Sequence, residues 1–280
     1  MNGEVLIVES VSKHYLSSRR KNVLEGIDMK VFAGSCVCIV GENGTGKSTL
    51  LKVVAGLIPK NHGKIFLSGK IGYVPEVSIN IPSLTARENM EFYNSVSGNK
   101  HIDTETFDEF NIPLDGKSLR HFSKGMKRKF DIARALSSNP ALLILDEPFE
   151  GLDPISCNEM VRVLLKEKEN GRAILMSSHD MAYVERISDK IFLLKNGTMR
   201  ELNEWKNKRV TLFVVGDEME ILKAVGNIDC RISSDGELIK VNVPLDDSSR
   251  IMKIIFACGG EVVRQEITSL EEIYIEKAKH

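Results

Sequence analysis

The segment Gly41-Glu-Asn-Gly-Thr-Gly46-Lys47-Ser48 sets glycines, a lysine and a hydroxyl at the spacing G-x-x-x-x-G-K-[ST]. Glycines at those intervals let consecutive backbone N–H groups converge on a phosphate, and a following helix turns its positive end toward the same anion. Gly41, Asn43, Gly44 and Gly46 belong to this cradle, with Thr49 just beyond it. Lys47 has the reach for the β- and γ-phosphates of a nucleoside triphosphate, and the Ser48 hydroxyl suits Mg²⁺. A second chemical element is the apolar run ALLILDE at 141–147, which ends in two acids and puts Asp146 ninety-nine residues after Lys47. At the end of a strand beside the cradle, Asp146 can hold Mg²⁺ through water, while Glu147 can orient or deprotonate an attacking water. His179 closes RAILMSSH and could bond the γ-phosphate or the water, or serve as a structural histidine at a sheet rim. Tyr15 could stack on a base or be an ordinary core or surface tyrosine.

These residues need a parallel sheet to bring them together. The runs Val5 to Ser12, Ile27 to Phe32 and Cys36 to Val40 read as strands, and CVCIV, apolar without alternation, suits a central strand covered on both faces. LLKVVAGL, ended by Gly56 and Pro59, reads as the helix after the cradle. ALLILDE and RAILMSSH read as two more buried parallel strands, separated by a helix from Ile155 to Lys168. IFLLKNGTMREL, turning at Lys195-Asn196-Gly197, reads as a peripheral hairpin. Between them, about 82–140 contains three helix-like pieces and little strand, as a helical insertion would. There Ser123 and Gly125 precede the basic stretch KGMKRKFDIARAL, so a second anion-binding helix start is available, although Lys124, Lys127, Arg128 and Lys129 also read as a solvated face. From about Lys208 the pattern becomes βαββαβ, with an Asp235-Gly236 turn and a final helix SLEEIYIEKAK, a small α+β appendage.

Composition narrows the function classes. A chain of 280 residues, 42% hydrophobic and 28% charged, reads as an ordinary soluble globular protein of about two domains. A formal charge of −1 gives no bulk attraction to nucleic acid or anionic lipid, so no nucleic-acid partner is expected. Five cysteines do not make a disulfide framework; most read as small buried apolar side chains in a reducing cytosol. No apolar run approaches the roughly 18 residues that span a bilayer, so a membrane role would come through a partner.

Taken together, the motifs resemble the ATP-binding subunit of ATP-binding cassette (ABC) transporters over nearly the whole chain. GENGTGKS resembles the family's phosphate loop, LLILDEP its magnesium strand, FSKGMK its signature segment, Glu150-Gly151-Leu152-Asp153-Pro154 the loop linking two sites, and Ser178-His179-Asp180 its switch histidine. The resemblance implies an α/β P-loop fold with a mainly parallel core sheet, N-terminal antiparallel strands and a helical subdomain, spanning 1–207, followed by the α+β domain 208–280. It also implies ATP with Mg²⁺, bound between two copies paired head to tail. Lys47 would hold the phosphates, Ser48 and Asp146 the metal, Glu147 would act as base, and His179 would close on the γ-phosphate. Ser123 and Gly125 would reach the nucleotide of the partner copy, Asp153 would report across the interface, and Tyr15 matches the adenine-stacking aromatic. Tyr73-Val74-Pro75-Glu76 puts Glu76 where the family commonly has a magnesium-contacting Gln. Lys124 and Met126 replace the Gly and Gln of the best-known signature, and the short span from Glu76 to Ser123 implies a trimmed helical subdomain.

The tail Thr268-Ser269-Leu270-Glu271-Glu272-Ile273-Tyr274 resembles that of ATPases paired with drug, lantibiotic, polysaccharide or sodium exporters. The expectation is therefore an ATPase peripheral on the cytoplasmic face of the membrane, powering export through a separate polytopic permease. The alternatives are a soluble ABC-type ATPase remodelling a ribosome, nucleic-acid or protein complex, and a non-catalytic regulatory cassette. The second of these sits poorly with the presence of Lys47, Ser48, Asp146, Glu147 and His179.

Overall fold

A computed structural model of the chain describes residues 3–15, 23–97, 104–203, 205, 209–225, 229–235 and 238–279. It divides into two compact units, Met1–Glu201 and Leu202–His280. The boundary expected at 207/208 and Gly236 of the expected Asp235-Gly236 turn lie outside the described residues.

In the first unit, β1 (Glu4–Lys13), β2 (Leu24–Phe32) and β4 (His62–Leu67) form an antiparallel sheet in the order β2-β1-β4. The larger sheet has the order β5-β6-β7-β3-β8-β9, from β3 (Cys36–Val40), β5 (Ile71–Val74), β6 (Leu142–Asp146), β7 (Ala173–Ser177), β8 (Lys190–Lys195) and β9 (Thr198–Glu201). Neighbours are parallel throughout except β8 and β9. Every residue of β3, β6 and β7 is buried, as unalternating apolar runs require. Helix α1 (Lys47–Val54) lays Leu50, Leu51, Val53 and Val54 into the same core as Val37, Ile39, Leu142 and Leu175. Each such side chain removed from water contributes roughly 1.5–3 kcal/mol. Because β3, β6 and β7 are adjacent and parallel, their carboxyl ends share one edge, where Asp146 and Ile39 both register against Ser177.

The described residues of 82–140 include α2 (Ala86–Ser97), α3 (Thr104–Glu109), a 3₁₀ turn at Leu119–His121 and α4 (Lys124–Leu136). Thr85 and Glu88 start α2 with a reciprocal cap: Thr85 N–H donates to Glu88 Oε2 at 2.7 Å, and Glu88 N–H to Thr85 Oγ1 at 3.2 Å. The basic run at the start of α4 is not one solvated face. Arg128 is only 6% exposed, and Lys129 is ion-paired with Glu159. Helices α5 (Pro154–Glu169) and α6 (Met181–Ile187) follow β6 and β7. The 195–197 turn joins β8 to β9 with Asn196 and Gly197 both at positive φ, 51° and 82°. Only β9 is peripheral, since β8 pairs with β3 on its other side.

The second unit follows the expected order, β10 (Arg209–Val215), α7 (Glu218–Val225), β11 (Arg231–Asp235), β12 (Leu238–Pro244), α8 (Ser248–Ala257), β13 (Glu261–Ile267) and α9 (Leu270–Lys279). Its sheet is antiparallel in the order β11-β12-β10-β13. Alternate residues Val210, Leu212 and Val214 of β10 meet Ile221, Val225, Ile251 and Ile255 of the two helices to make its core. Among the described residues, no helix is long and apolar enough to cross a membrane.

Cys36, Cys38 and Cys157 are buried, whereas Cys230 and Cys258 are partly exposed. Burial raises the Cys36 thiol to about 12 and pushes Cys38 well above its ordinary value. Iodoacetamide at about pH 8 is therefore expected to label Cys230 and Cys258 in the native protein, and Cys36 and Cys38 only after unfolding. Peptide mass mapping reads the order; early labelling of Cys36 would contradict the packing of β3.

Candidate active site

Gly46, with φ 109°, ends the loop after β3 and stands as the N-cap of α1 without a side-chain cap. A backbone at that angle suits glycine, and it leaves the first N–H groups of α1 available to an anion. The loop, α1 and the strand ends enclose a cleft of about 500 Å³ lined by Tyr15, Val23, Asn43, Gly44, Gly46, Lys47, Ser48, Thr49, Glu76, Glu147, Glu150 and His179. Tyr15 is 43% exposed at its mouth, with Lys13 Nζ 5.0 Å from the ring centroid. Gly41 lies behind the lining, against the backbone of Leu194.

Lys47 is buried and donates through Nζ to the carbonyls of Gly41 at 2.7 Å and Glu42 at 3.3 Å. Glu147 Oε1 lies 3.4 Å from that ammonium, an ion pair across the cleft floor. The Ser48 hydroxyl donates to Asp146 Oδ1 at 3.0 Å. Ser177 completes the set: its hydroxyl donates to Asp146 Oδ1 at 2.7 Å and accepts the Glu147 N–H at 3.0 Å. The backbone of Glu147 turns at φ 47°, a left-handed conformation that costs a non-glycine residue on the order of 1–3 kcal/mol. That turn swings its carboxylate away from the strand and into the cleft, while Asp146 stays in register with Ser177. Glu147 Oε2 accepts from the His179 N–H at 3.2 Å and lies 2.9 Å from His179 Nδ1. Glu147 Oε1 is buried and accepts no hydrogen bond among the described residues, so the Lys47 ammonium is what balances its charge there.

The residues read from the sequence as a phosphate cradle, two acids and a histidine thus converge. Ser48 and Asp146 present hard oxygen ligands side by side, the donor set that suits Mg²⁺, and Glu76 lines the same cleft. No group of three His, Cys, Asp or Glu side chains among the described residues could hold a metal on its own. Ser123, Gly125 and Asp153 do not line the cleft. Ser123 is exposed as the N-cap of α4, its hydroxyl accepting the Met126 N–H at 3.1 Å. Gly125 is buried against α5, where an added Cβ would stand 2.6 Å from Ser156 Oγ. Asp153 caps α5, accepting the N–H groups of Ile155 and Ser156 at 3.0 Å each, and the Ser156 hydroxyl bond holds its carboxyl below the usual range.

Sequence reasoning missed Ser177 and Val23, placed Glu150 only in the linking loop, and read Arg128 only within a basic run. Ser177 stood in plain view beside Ser178-His179, but only strand register shows that it faces Asp146. Tyr73 also escaped notice: burial, with Asp146 and Glu76 nearby, pushes its phenol up to about 12 and keeps it neutral.

The family model for ABC transporters matches residues 24–150. The chain is 31% identical to the lantibiotic transport ATP-binding protein SrtF of Streptococcus pyogenes, over 69% of this chain and 88% of that protein. A solved structure described as the ATP-binding subunit of an ABC transporter is 27% identical and has a TM-score of 0.65, covering 97% of this chain and 98% of that one. Another, described as a dimeric post-hydrolysis ATP-binding cassette bound to ADP and Pi, shares the fold at 23% identity and a TM-score of 0.63, covering 70% of this chain and 97% of that one.

Ser177→Ala would leave Asp146 short of a donor and the Glu147 N–H unpaired. The expected cost is about 1–3 kcal/mol, read as a lower urea midpoint at unchanged slope. A wild-type midpoint would contradict the arrangement.

Proposed function

The chain belongs to the ATP-binding subunits of ABC transporters, an ATPase family, and we propose that two copies pair head to tail to hydrolyse ATP and drive export through a separate membrane permease. The observation that carries this reading is the incompleteness of the cleft. It supplies a base-stacking ring, a phosphate cradle and an acid, yet the exposed helix start at Ser123 lies outside it. In a head-to-tail pair, that helix start would cover the γ-phosphate held by the other copy. The dimeric cassette of the same fold, described with ADP and Pi, supports such a pairing.

Within the proposed site, Tyr15 would stack on adenine, the N–H groups of the cradle and Lys47 would hold the phosphates, and Ser48 and Asp146, with Glu76 in the same cleft, would hold Mg²⁺. The metal supplies charge neutralisation at the phosphate oxygens. As Lys47 shifts onto phosphate, Glu147 Oε1 is released to accept a proton from the attacking water. The water oxygen bonds to the γ-phosphorus, the bond to the β–γ bridging oxygen breaks, and ADP and phosphate leave. His179, tethered to Glu147 and at the cleft rim, donates to the γ-phosphate. Asp153 is spoken for within its own helix cap, so its proposed message across the interface passes through the position of α5 rather than a free carboxylate.

A face for the permease is available on α2 and the connection that leads into it from β5. Val77, Ile79, Phe92 and Val96 are exposed apolar side chains. They lie close together, because Tyr93 donates its hydroxyl to the Ile79 carbonyl at 3.2 Å and packs edge-on against Phe92. Export is supported by the lantibiotic transport relative.

Glu147→Gln removes the proton acceptor and retains the cradle. It is expected to bind ATP, form a dimer only with ATP and Mg²⁺, and release phosphate at least about 100-fold more slowly than wild type, within the range for loss of a general base. Mass measurement with and without ATP tests the pairing; a persistent monomer with bound ATP would refute it.

A further inference from the structure

Arg128 is buried among groups that leave its charge without a hydrogen-bonded carboxylate. Its guanidinium donates to the carbonyls of Pro75 at 2.7 Å, Glu76 at 3.0 Å and Glu147 at 3.0 Å. Those carbonyls belong to the two segments whose acids, Glu76 and Glu147, line the cleft. The arginine itself stands one turn into α4, whose first residues follow the exposed Ser123 cap. A planar fork with fixed donor directions is suited to locking several carbonyls at once, which a lysine ammonium on a flexible stem does less well. Three residues on, Asp131 repeats the grip, accepting from Ser78 Oγ at 3.2 Å and Asn80 Nδ2 at 2.6 Å on the segment that follows Glu76. Burial lowers the pKa of Arg128 from its ordinary value, with Asp131, Asp146, Glu150 and Glu76 opposing that shift.

We propose that Arg128 is a positioning residue that sets the left-handed backbone of Glu147 and the backbone of Glu76 relative to the signature helix, so that the acid at one nucleotide site is placed from the helix whose start is offered to the other. The proposal rests on the composite-site reading above and adds to it the part within one copy that links the two sites. The guanidinium is no part of the cleft lining. It acts through the peptide groups, fixing where the Glu147 carboxylate emerges into the cleft.

The test is steady-state ATP hydrolysis by Arg128→Lys and Arg128→Ala, with circular dichroism to measure the folded fraction. Arg128→Lys keeps the charge but not the fork; its kcat is expected to fall about 10- to 100-fold while KM for ATP stays within about twofold, as for a displaced group rather than a lost binding contact. In Arg128→Ala, millimolar ethylguanidinium is expected to restore part of kcat, and equal ethylammonium is not. Wild-type kcat in Arg128→Lys, a fall no larger than the loss of folded protein, or equal rescue by ethylammonium would each overturn the proposal. Failure of both variants to fold would assign Arg128 to the fold alone and overturn it too. The composite-site reading is judged separately, by whether Glu147→Gln dimerises with ATP. A dimer there with an unaffected Arg128→Lys sinks only the present inference, and no dimer sinks the reading beneath it.

Discussion

Two adjacent carboxylates at the end of a fully buried strand are the constraint around which the first unit is arranged. Asp146 is 2% exposed and Glu147 6%, and burying an ionised acid is strongly unfavourable unless donors or opposite charge surround it. Asp146 is satisfied by the hydroxyls of Ser48 and Ser177, one from the start of α1 and one from the end of β7. Glu147 is balanced by the Lys47 ammonium at the start of α1 and bonded by His179, two residues beyond the end of β7. The solution requires β3, β6 and β7 to be adjacent and parallel, so that helix start, acids and histidine meet at one edge. The sheet order, the glycine loop and the positive φ of Glu147 all serve that meeting.

The same donors that make burial tolerable are the groups ATP chemistry needs. Lys47 neutralises Glu147 and would move onto phosphate in the proposed mechanism, and the hydroxyl that shields Asp146 would there become a ligand of Mg²⁺. The site is thus preorganised by its own internal pairs, with the cost of strain at Glu147 met by Ser177 on one side of its peptide and Arg128 on the other. Among the described residues, the exposed helix start at Ser123 is no part of the cleft lining. Its exposure outside the cleft is the physical basis for proposing that the active unit is a pair.

Much of this was legible in the amino-acid order. The unalternating runs CVCIV, LLILD and AILMS announced buried parallel strands, and the cradle spacing located the phosphate end without any structure. The reciprocal caps at Thr85/Glu88 and Ser269/Glu272 match residue type and spacing too, but were not picked out from them. Two strands were not legible. β4 is exposed along nearly all of HGKIFL, and β5 has only four residues, so neither carries a hydrophobic period. Arg128 was misread because a basic run looks the same whether it meets water or three carbonyls, and Ser177 because its partner lies 31 residues away across a strand register. Pairing in the second unit depends equally on long-range contacts, which local pattern does not encode.

The central claim is that one copy holds only part of a working site. The most direct measurement is phosphate release per molecule as a function of protein concentration at saturating ATP and Mg²⁺, from dilutions where the protein is monomeric by mass upward. A composite site predicts specific activity that rises from near zero to a plateau as pairs form. Constant specific activity down to monomer would show that each chain turns over ATP alone and would contradict the account.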